Sequence, residues 1–397
     1  MSVRQVGQST RKKKIVSKLV NRLSPSGIRK FFDLASKEGV ISLGVGEPDY
    51  ATPWHISEAA IRSLEKGYTM YTSNSGIPEL REETVRYLKN MYGVDYNPSN
   101  EILITVGVSE ALDLTMRAIL NPGDEVIMPD PHYAAYDSCV ILAGGEPVMV
   151  PTSEENGFEV DAAEIEARIT DKTKAILIGY PTNPTGAVMT RDKLLAIAEV
   201  AQQYNLLVVS DEIYARLVYG VEHTCYAGLP GAKDNTILLG GFSKAYAMTG
   251  WRVGYAVAPR EIIAAMTKIH QYTIMSAPTM AQVAAIEALK SGEQSVLEMV
   301  EDYNRRRLII VRGLRDIGLR CFEPRGAFYA FPSITSTGLT SEEFSEKLLI
   351  EEKVAVVPGS AFGDCGEGYV RCCYATSLAD IEEALTRMKR FVKKYRK

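Results

Sequence analysis

The six cysteines of this chain, at positions 139, 225, 321, 365, 372 and 373, include no CxxC pair, and no histidine stands at a spacing suited to zinc. No metal site is expected, and the thiols read as structural or incidental. An excess of one charge is also missing. The 45 Lys+Arg face 49 Asp+Glu, a formal charge of -4, which argues against nucleic acid as the main partner and points to small molecules. Long apolar runs are absent too. Arg11 to Lys14 is basic, but Ile15 to Val20 is interrupted by Lys18 and is too short for a signal-peptide core or a membrane span, so a soluble cytoplasmic protein without membrane contact is expected. Repeats and low-complexity segments are not evident. What remains is a chain of 397 residues, 46% of them hydrophobic, enough for a large core and two domains.

From Ile102 onward, short apolar runs alternate with helical patterns, the sign of a parallel sheet covered on both faces. Its strands read as Ile102 to Val106, Glu125 to Met128, Pro147 to Val150, Ala175 to Ile178, Leu206 to Val209, Ile237 to Leu239 and Val253 to Ala258. Helical periodicity marks Ile56 to Glu65, Pro78 to Tyr92, Ala111 to Leu120, Leu194 to Tyr204 and a long region from Glu261 past Asp302. Beyond about Arg307 the order becomes α+β. Gly326 to Phe331 and Gly368 to Tyr374 alternate as half-buried strands, with helices at Ser341 to Glu351 and Leu378 to Tyr395. The expected division is a large domain over 51–300 and a small one over 301–397, with segment 1–50, including an amphipathic stretch Ile28 to Ala35, packing on the small domain.

Chemistry-bearing residues gather where strands end, the place where open α/β sheets bind ligands. Ser243 and Lys244 follow the Gly240-Gly241 turn, and Arg252 comes eight residues after the lysine. Asp211 ends the Leu206 to Val209 run, with Tyr214 next, although an aspartate there could equally cap a helix. Gly107-Val108-Ser109 turns a strand into a helix start, where free amides and the helix dipole favour an anion. Tyr133 could offer a ring face to a flat ligand or simply pack in the core. Asn183 lies in the Pro- and Gly-rich loop Gly179 to Gly186, stiff enough to aim an amide at one atom. Gly44 and Gly46 could let a ligand touch backbone, and Arg371 either faces solvent or serves a site.

Taken in order, GVGEPDYATP (Gly44 to Pro53), YPTNPTG (Tyr180 to Gly186), SDEIY (Ser210 to Tyr214), GFSKAYAMTGWRVGY (Gly241 to Tyr255) and YVRCCYA (Tyr369 to Ala375) resemble the class I aminotransferases, pyridoxal phosphate enzymes of fold type I. The resemblance spans about Ser24 to the end of the chain. It implies a large domain built on a mainly parallel mixed sheet flanked by helices, plus a smaller α+β domain. It implies transfer of an amino group from an L-amino acid, aromatic or aspartate, to a 2-oxo acid such as 2-oxoglutarate, by a ping-pong route through pyridoxamine phosphate. By the same resemblance Lys244 is the amine that attaches the pyridoxal 5'-phosphate and shuttles the proton, Asp211 partners the ring nitrogen, and Asn183 and Tyr214 hydrogen-bond the phenolic oxygen. Val108, Ser109, Ser243 and Arg252 would cradle the phosphate, with Tyr133 against the ring. Arg371 and Gly46 would take the substrate carboxylate. Tyr71 would reach the phosphate of a second subunit, which implies a homodimer with shared sites.

Two departures stand out. One phosphate hydroxyl is missing where many members have Ser-x-Ser-Lys and this chain has Gly241-Phe242-Ser243-Lys244. Ser109 occupies the place where some aspartate-specific members carry a lysine for the distal carboxylate, so the donor stays open between aromatic and aspartate. A carbon-sulfur β-lyase on the same fold and a non-catalytic cofactor-binding regulatory module are the alternatives.

Overall fold

The structure, a computed structural model, describes residues 15–23 and 39–396. The Ile28 to Ala35 stretch lies outside them. The largest sheet has seven strands in the order β2-β8-β7-β6-β5-β3-β4. These are β2 (Ile102–Thr105), β3 (Glu125–Asp130), β4 (Glu146–Pro151), β5 (Thr173–Ile178), β6 (Leu207–Asp211), β7 (Thr236–Gly241) and β8 (Gly254–Val257), in a chain whose first strand is β1 (Ile41–Ser42). β4, β3, β5, β6 and β7 run parallel, while β8 lies antiparallel between β7 and β2. β2, β6, β7 and β8 are buried almost throughout because helices cover both faces, which is why they read in sequence as unbroken apolar runs rather than alternating ones. One layer beneath the sheet is built on Gly107–Ile119 and Arg260–Thr273, packed around Leu112, Met116, Ile263 and Met266. On the other face, Arg191–Gln203 closes a core around Ile176, Val208 and Ile197.

A second, smaller assembly follows the helix Glu293–Asp316. β9 (Tyr329–Ala330) and β11 (Val357–Pro358) flank β12 (Val370–Cys373) antiparallel, and β10 (Val354–Ala355) pairs parallel with β1. The expected strands over Gly326 to Phe331 and Gly368 to Tyr374 are shorter, and they are not half-buried. Every residue of β9 and β12 is enclosed, between helices bearing Tyr303, Leu314, Phe344 and Phe391. The long helical region from Glu261 proves to be three helices, Arg260–Thr273, Thr279–Ser291 and Glu293–Asp316, broken before Pro278 and at Gly292. The helix Ala135–Leu142 had no counterpart in the sequence reading.

Candidate active site

Most of the sequence-selected residues converge. A cavity of about 700 Å³ at the carboxyl edge of the seven-stranded sheet is lined by Gly46, Val108, Ser109, Tyr133, Asn183, Asp211, Tyr214, Ser243, Lys244, Arg252 and Arg371. Tyr71 is not among them: it stands 81% exposed on the loop between the helices Trp54–Glu65 and Pro78–Tyr92.

Each side chain is placed by its element. Asp211 is the last residue of β6 and accepts from the Ile213 amide at 3.1 Å, so it caps a tight turn and no helix follows it. Its other oxygen accepts from the Tyr136 hydroxyl at 2.8 Å. Burial pushes this carboxyl up to about 6, against the pull of those two donors. Lys244 follows β7, and its Nζ donates to the Gly46 carbonyl at 2.8 Å. Burial brings its amine down to about 8; Cys373 and Glu47 oppose the shift, and the positive charges of Arg371 and Arg252 assist it. An amine so poised gives up its proton more readily than an ordinary lysine, and its neutral fraction can take up a proton, as a general base must.

At one end of the cavity the helix Gly107–Ile119 begins beside the Arg252 guanidinium. Gly107 has φ +73°, and a Cβ there would come within 2.5 Å of Arg252, so the turn requires glycine on both counts. Arg252 donates to the Thr249 carbonyl at 2.9 Å. Glu110 braces the same turn, accepting the Val106 amide at 2.5 Å and pairing with the buried His270 at 2.7 Å. A helix start, one guanidinium and the hydroxyls of Ser109 and Ser243 make a cradle for a dianion.

At the other end, Arg371 is only 2% exposed, so the reading of a solvent-facing arginine is overturned: β12 is covered on both faces. Its guanidinium donates to Asn183 Oδ1 at 2.9 Å and to the Gly44 carbonyl at 2.7 Å. Its Nε is buried and has no partner in the structure. Asn183 is carried on a loop pinned by the Thr182–Ala187 and Thr182–Gly186 backbone bonds and by two amides of the small assembly on the Gly186 carbonyl.

Tyr136, Tyr329 and Thr249 are among the lining residues that the sequence does not single out. Tyr136 lies in the first turn of the helix Ala135–Leu142, three positions after Tyr133, and the two rings meet edge-on with centroids 5.6 Å apart. Tyr329 sits in β9 with its hydroxyl 2.6 Å from that of Tyr214. Thr249 bonds Glu47 at 2.9 Å and so ties the lysine loop to the Gly46 loop. For Tyr329 and Thr249 no local pattern carried the signal.

Comparison with known proteins agrees with this geometry. The family described as aminotransferase class I and II matches residues 38–388. YugH of Bacillus subtilis, which bears an aminotransferase name, is 57% identical over 96% of this chain and 98% of its own. The aspartate aminotransferase of Pyrococcus abyssi is 46% identical over 95% and 98%. Among solved structures, the aromatic aminotransferase from Pyrococcus horikoshii OT3 superposes with a TM-score of 0.88 at 45% identity, covering 92% of this chain and 99% of that one.

Proposed function

Because this chain belongs to the class I and II aminotransferases and moves amino groups from an amino acid to a 2-oxo acid, we propose that it does so with pyridoxal 5'-phosphate held in the 700 Å³ cavity. The observation that carries this reading is the gathering of Lys244, Asp211, Arg252 and Arg371 around one space, with a dianion cradle at one end and a buried guanidinium at the other. When bound, the cofactor supplies an electron sink that makes the substrate Cα–H acidic.

The chain's own residues do the rest. Lys244 would hold the cofactor through its aldehyde carbon and, as the cavity's amine among the described residues, would carry the proton taken from the substrate Cα. Asp211 holds the ring nitrogen in its protonated form through a charge-assisted hydrogen bond. Arg252, Ser109, Ser243 and the amides at Val108 and Ser109 would hold the phosphate, and Tyr133 would offer its face to the ring. Tyr214 and the Asn183 amide donate to the phenolic oxygen; Asn183 is oriented for this because Arg371 occupies its Oδ1. Arg371 and the Gly46 backbone receive the substrate carboxylate in a fork that lysine could not reproduce.

Among the described residues, the cations lining the cavity are Lys244, Arg252 and Arg371, and each has an assignment. Leu112, Ala134, Ala135 and Ile213 add an apolar wall. We therefore place aromatic donors ahead of aspartate, which would need a cation from a second subunit. The homodimer belongs to the same reading. Met70, 78% exposed, and Tyr71 lie on a loop that hydrogen-bonds the segment near the 86% exposed Tyr272, through Asn74 to Met275 and Thr279 to Met70. Exposed apolar surface of that kind suits an interface. The functional division proposed is a cofactor-binding domain over 51–300 and a substrate-clamping domain over 301–397; of the described N-terminal residues, Ile41 to Leu43 and Tyr50 pack on the latter, while Arg22 pairs with Glu146 of the former. No helix among the described residues is long and apolar enough to cross a membrane, and all six cysteines are free, which suits a cytoplasmic location.

Purified protein should show visible cofactor absorption that is lost on adding a donor. A panel of tyrosine, phenylalanine and aspartate against 2-oxoglutarate then ranks donors; aspartate turning over fastest would reverse the proposed order.

A further inference from the structure

Tyr329 joins the two ends of the cavity, though it comes from the smaller assembly. It is 1% exposed, and its β9 partner is β12, the strand of Arg371. The Arg371 guanidinium lies 4.5 Å from its ring centroid, close enough for a cation–π contact. Its hydroxyl meets the Tyr214 hydroxyl at 2.6 Å and the Gly46 carbonyl at 3.5 Å. A Cβ on Gly46 would stand 2.7 Å from that same hydroxyl, so the loop is shaped to it.

Each hydroxyl has one proton to give, which leaves two arrangements. In the first, Tyr214 donates to Tyr329, whose own proton then finds the Gly46 carbonyl as its acceptor in the structure. That contact, at 3.5 Å, is at the outer limit of a hydrogen bond, and the carbonyl already accepts Lys244 at 2.8 Å. In the second, Tyr329 donates across the 2.6 Å contact and Tyr214 keeps its proton for an acceptor in the cavity. The distances favour the second.

We propose that Tyr329 is a positioning residue: it donates to Tyr214 and so turns the Tyr214 proton toward the phenolic oxygen of the cofactor, while its ring backs the arginine that receives the substrate carboxylate. The inference rests on the cofactor reading above. Through this one side chain the small assembly adjusts an atom bound by the large one, and both ends of the cavity share a support.

Loaded enzyme provides the test, through the pH at which its visible absorption titrates. A donor on the phenolic oxygen offsets part of its negative charge; without it the Lys244 nitrogen holds its proton to higher pH. Tyr329→Phe, which removes only a hydroxyl, is expected to raise that midpoint by about one unit, the equivalent of one hydrogen bond. Tyr214→Phe is expected to raise it at least as far. The double variant should match Tyr214→Phe alone, because Tyr329 acts through Tyr214. An unmoved midpoint in Tyr329→Phe, or shifts that add in the double variant, would overturn the proposal. Wild-type protein without a visible band that responds to donor would instead defeat the cofactor reading itself.

Discussion

Lys244 and Arg371 face the same cavity from different sheets, and the two sheets handle charge in opposite ways. Lys244 hangs from the loop after β7, partly buried, with one carbonyl partner and a pKa brought down to about 8. Arg371 lies within β12, 2% exposed, with two acceptors fixed on its guanidinium and aromatic rings of Tyr329 and Phe362 within 4.9 Å. The seven-stranded sheet therefore presents groups whose protons can move, Lys244 and Asp211, at its ragged carboxyl edge. The three-stranded sheet presents a fork of donors whose geometry is locked. Proton transfer needs the first, and orienting a carboxylate needs the second.

The sharpest way to break this contrast is Lys244→Ala. The transfer rate should fall by about 10⁴-fold or more, since no other amine lines the cavity among the described residues. Activity kept near wild type would remove the lysine from the chemistry. Arg371→Lys tests the other side: lysine keeps the charge and loses the fork. The donor KM should rise about 10- to 100-fold with a smaller change in kcat, which steady-state kinetics would separate. A change confined to kcat would mean that Arg371 does more than hold substrate.

Protonation also separates the two sheets in the cofactor-free chain. Between about 8 and 10.5 the unfolded chain holds a proton on Lys244 that the folded chain has lost, so stability rises with pH across that window. Asp211 runs the other way: between 3.8 and about 6 the folded chain keeps a proton that the unfolded chain has released, so stability falls as pH rises. Denaturant unfolding across pH should show Lys244→Met flattening the alkaline rise, by about 1 to 2 kcal/mol after allowance for the solvent that reaches the cavity. Asp211→Asn should flatten the acid-side fall. Equal slopes in variant and wild type would show that these groups do not titrate as placed.

Much of the large sheet was legible because burial on both faces writes each strand as an apolar run; the runs at Ile102, Glu125, Ala175 and Ile237 all became strands. Motif residues at strand ends were legible for the same reason, since Asp211 and Lys244 follow such runs directly. The smaller sheet was harder. β1, β9, β10 and β11 have two residues each, too few for a period. Arg371 could be taken for a surface residue because its concealment comes from Phe362 across a turn and from Tyr329 and the Gly44 carbonyl, which are distant in sequence. Tyr329 was invisible for a like reason: its role depends on a contact with Tyr214 across 115 positions.

Tyr136→Phe makes the finest test of the contrast, because it touches the titrating side without removing a titrating group. Its hydroxyl donates to Asp211 at 2.8 Å, favouring the charged carboxylate against burial. Removing it should move the Asp211 carboxyl further above about 6 and extend the acid-side fall in stability to higher pH. A carboxylate that ionises less readily is a poorer partner for a protonated ring nitrogen, so cofactor affinity should weaken by less than about tenfold, the scale of one hydrogen bond. On the proposed assignment of the substrate carboxylate to Arg371, the donor KM should stay unchanged. If KM rises as much as cofactor affinity falls, the two ends of the cavity are not independent, and the contrast between a proton-moving sheet and a locked one gives way to a single coupled network.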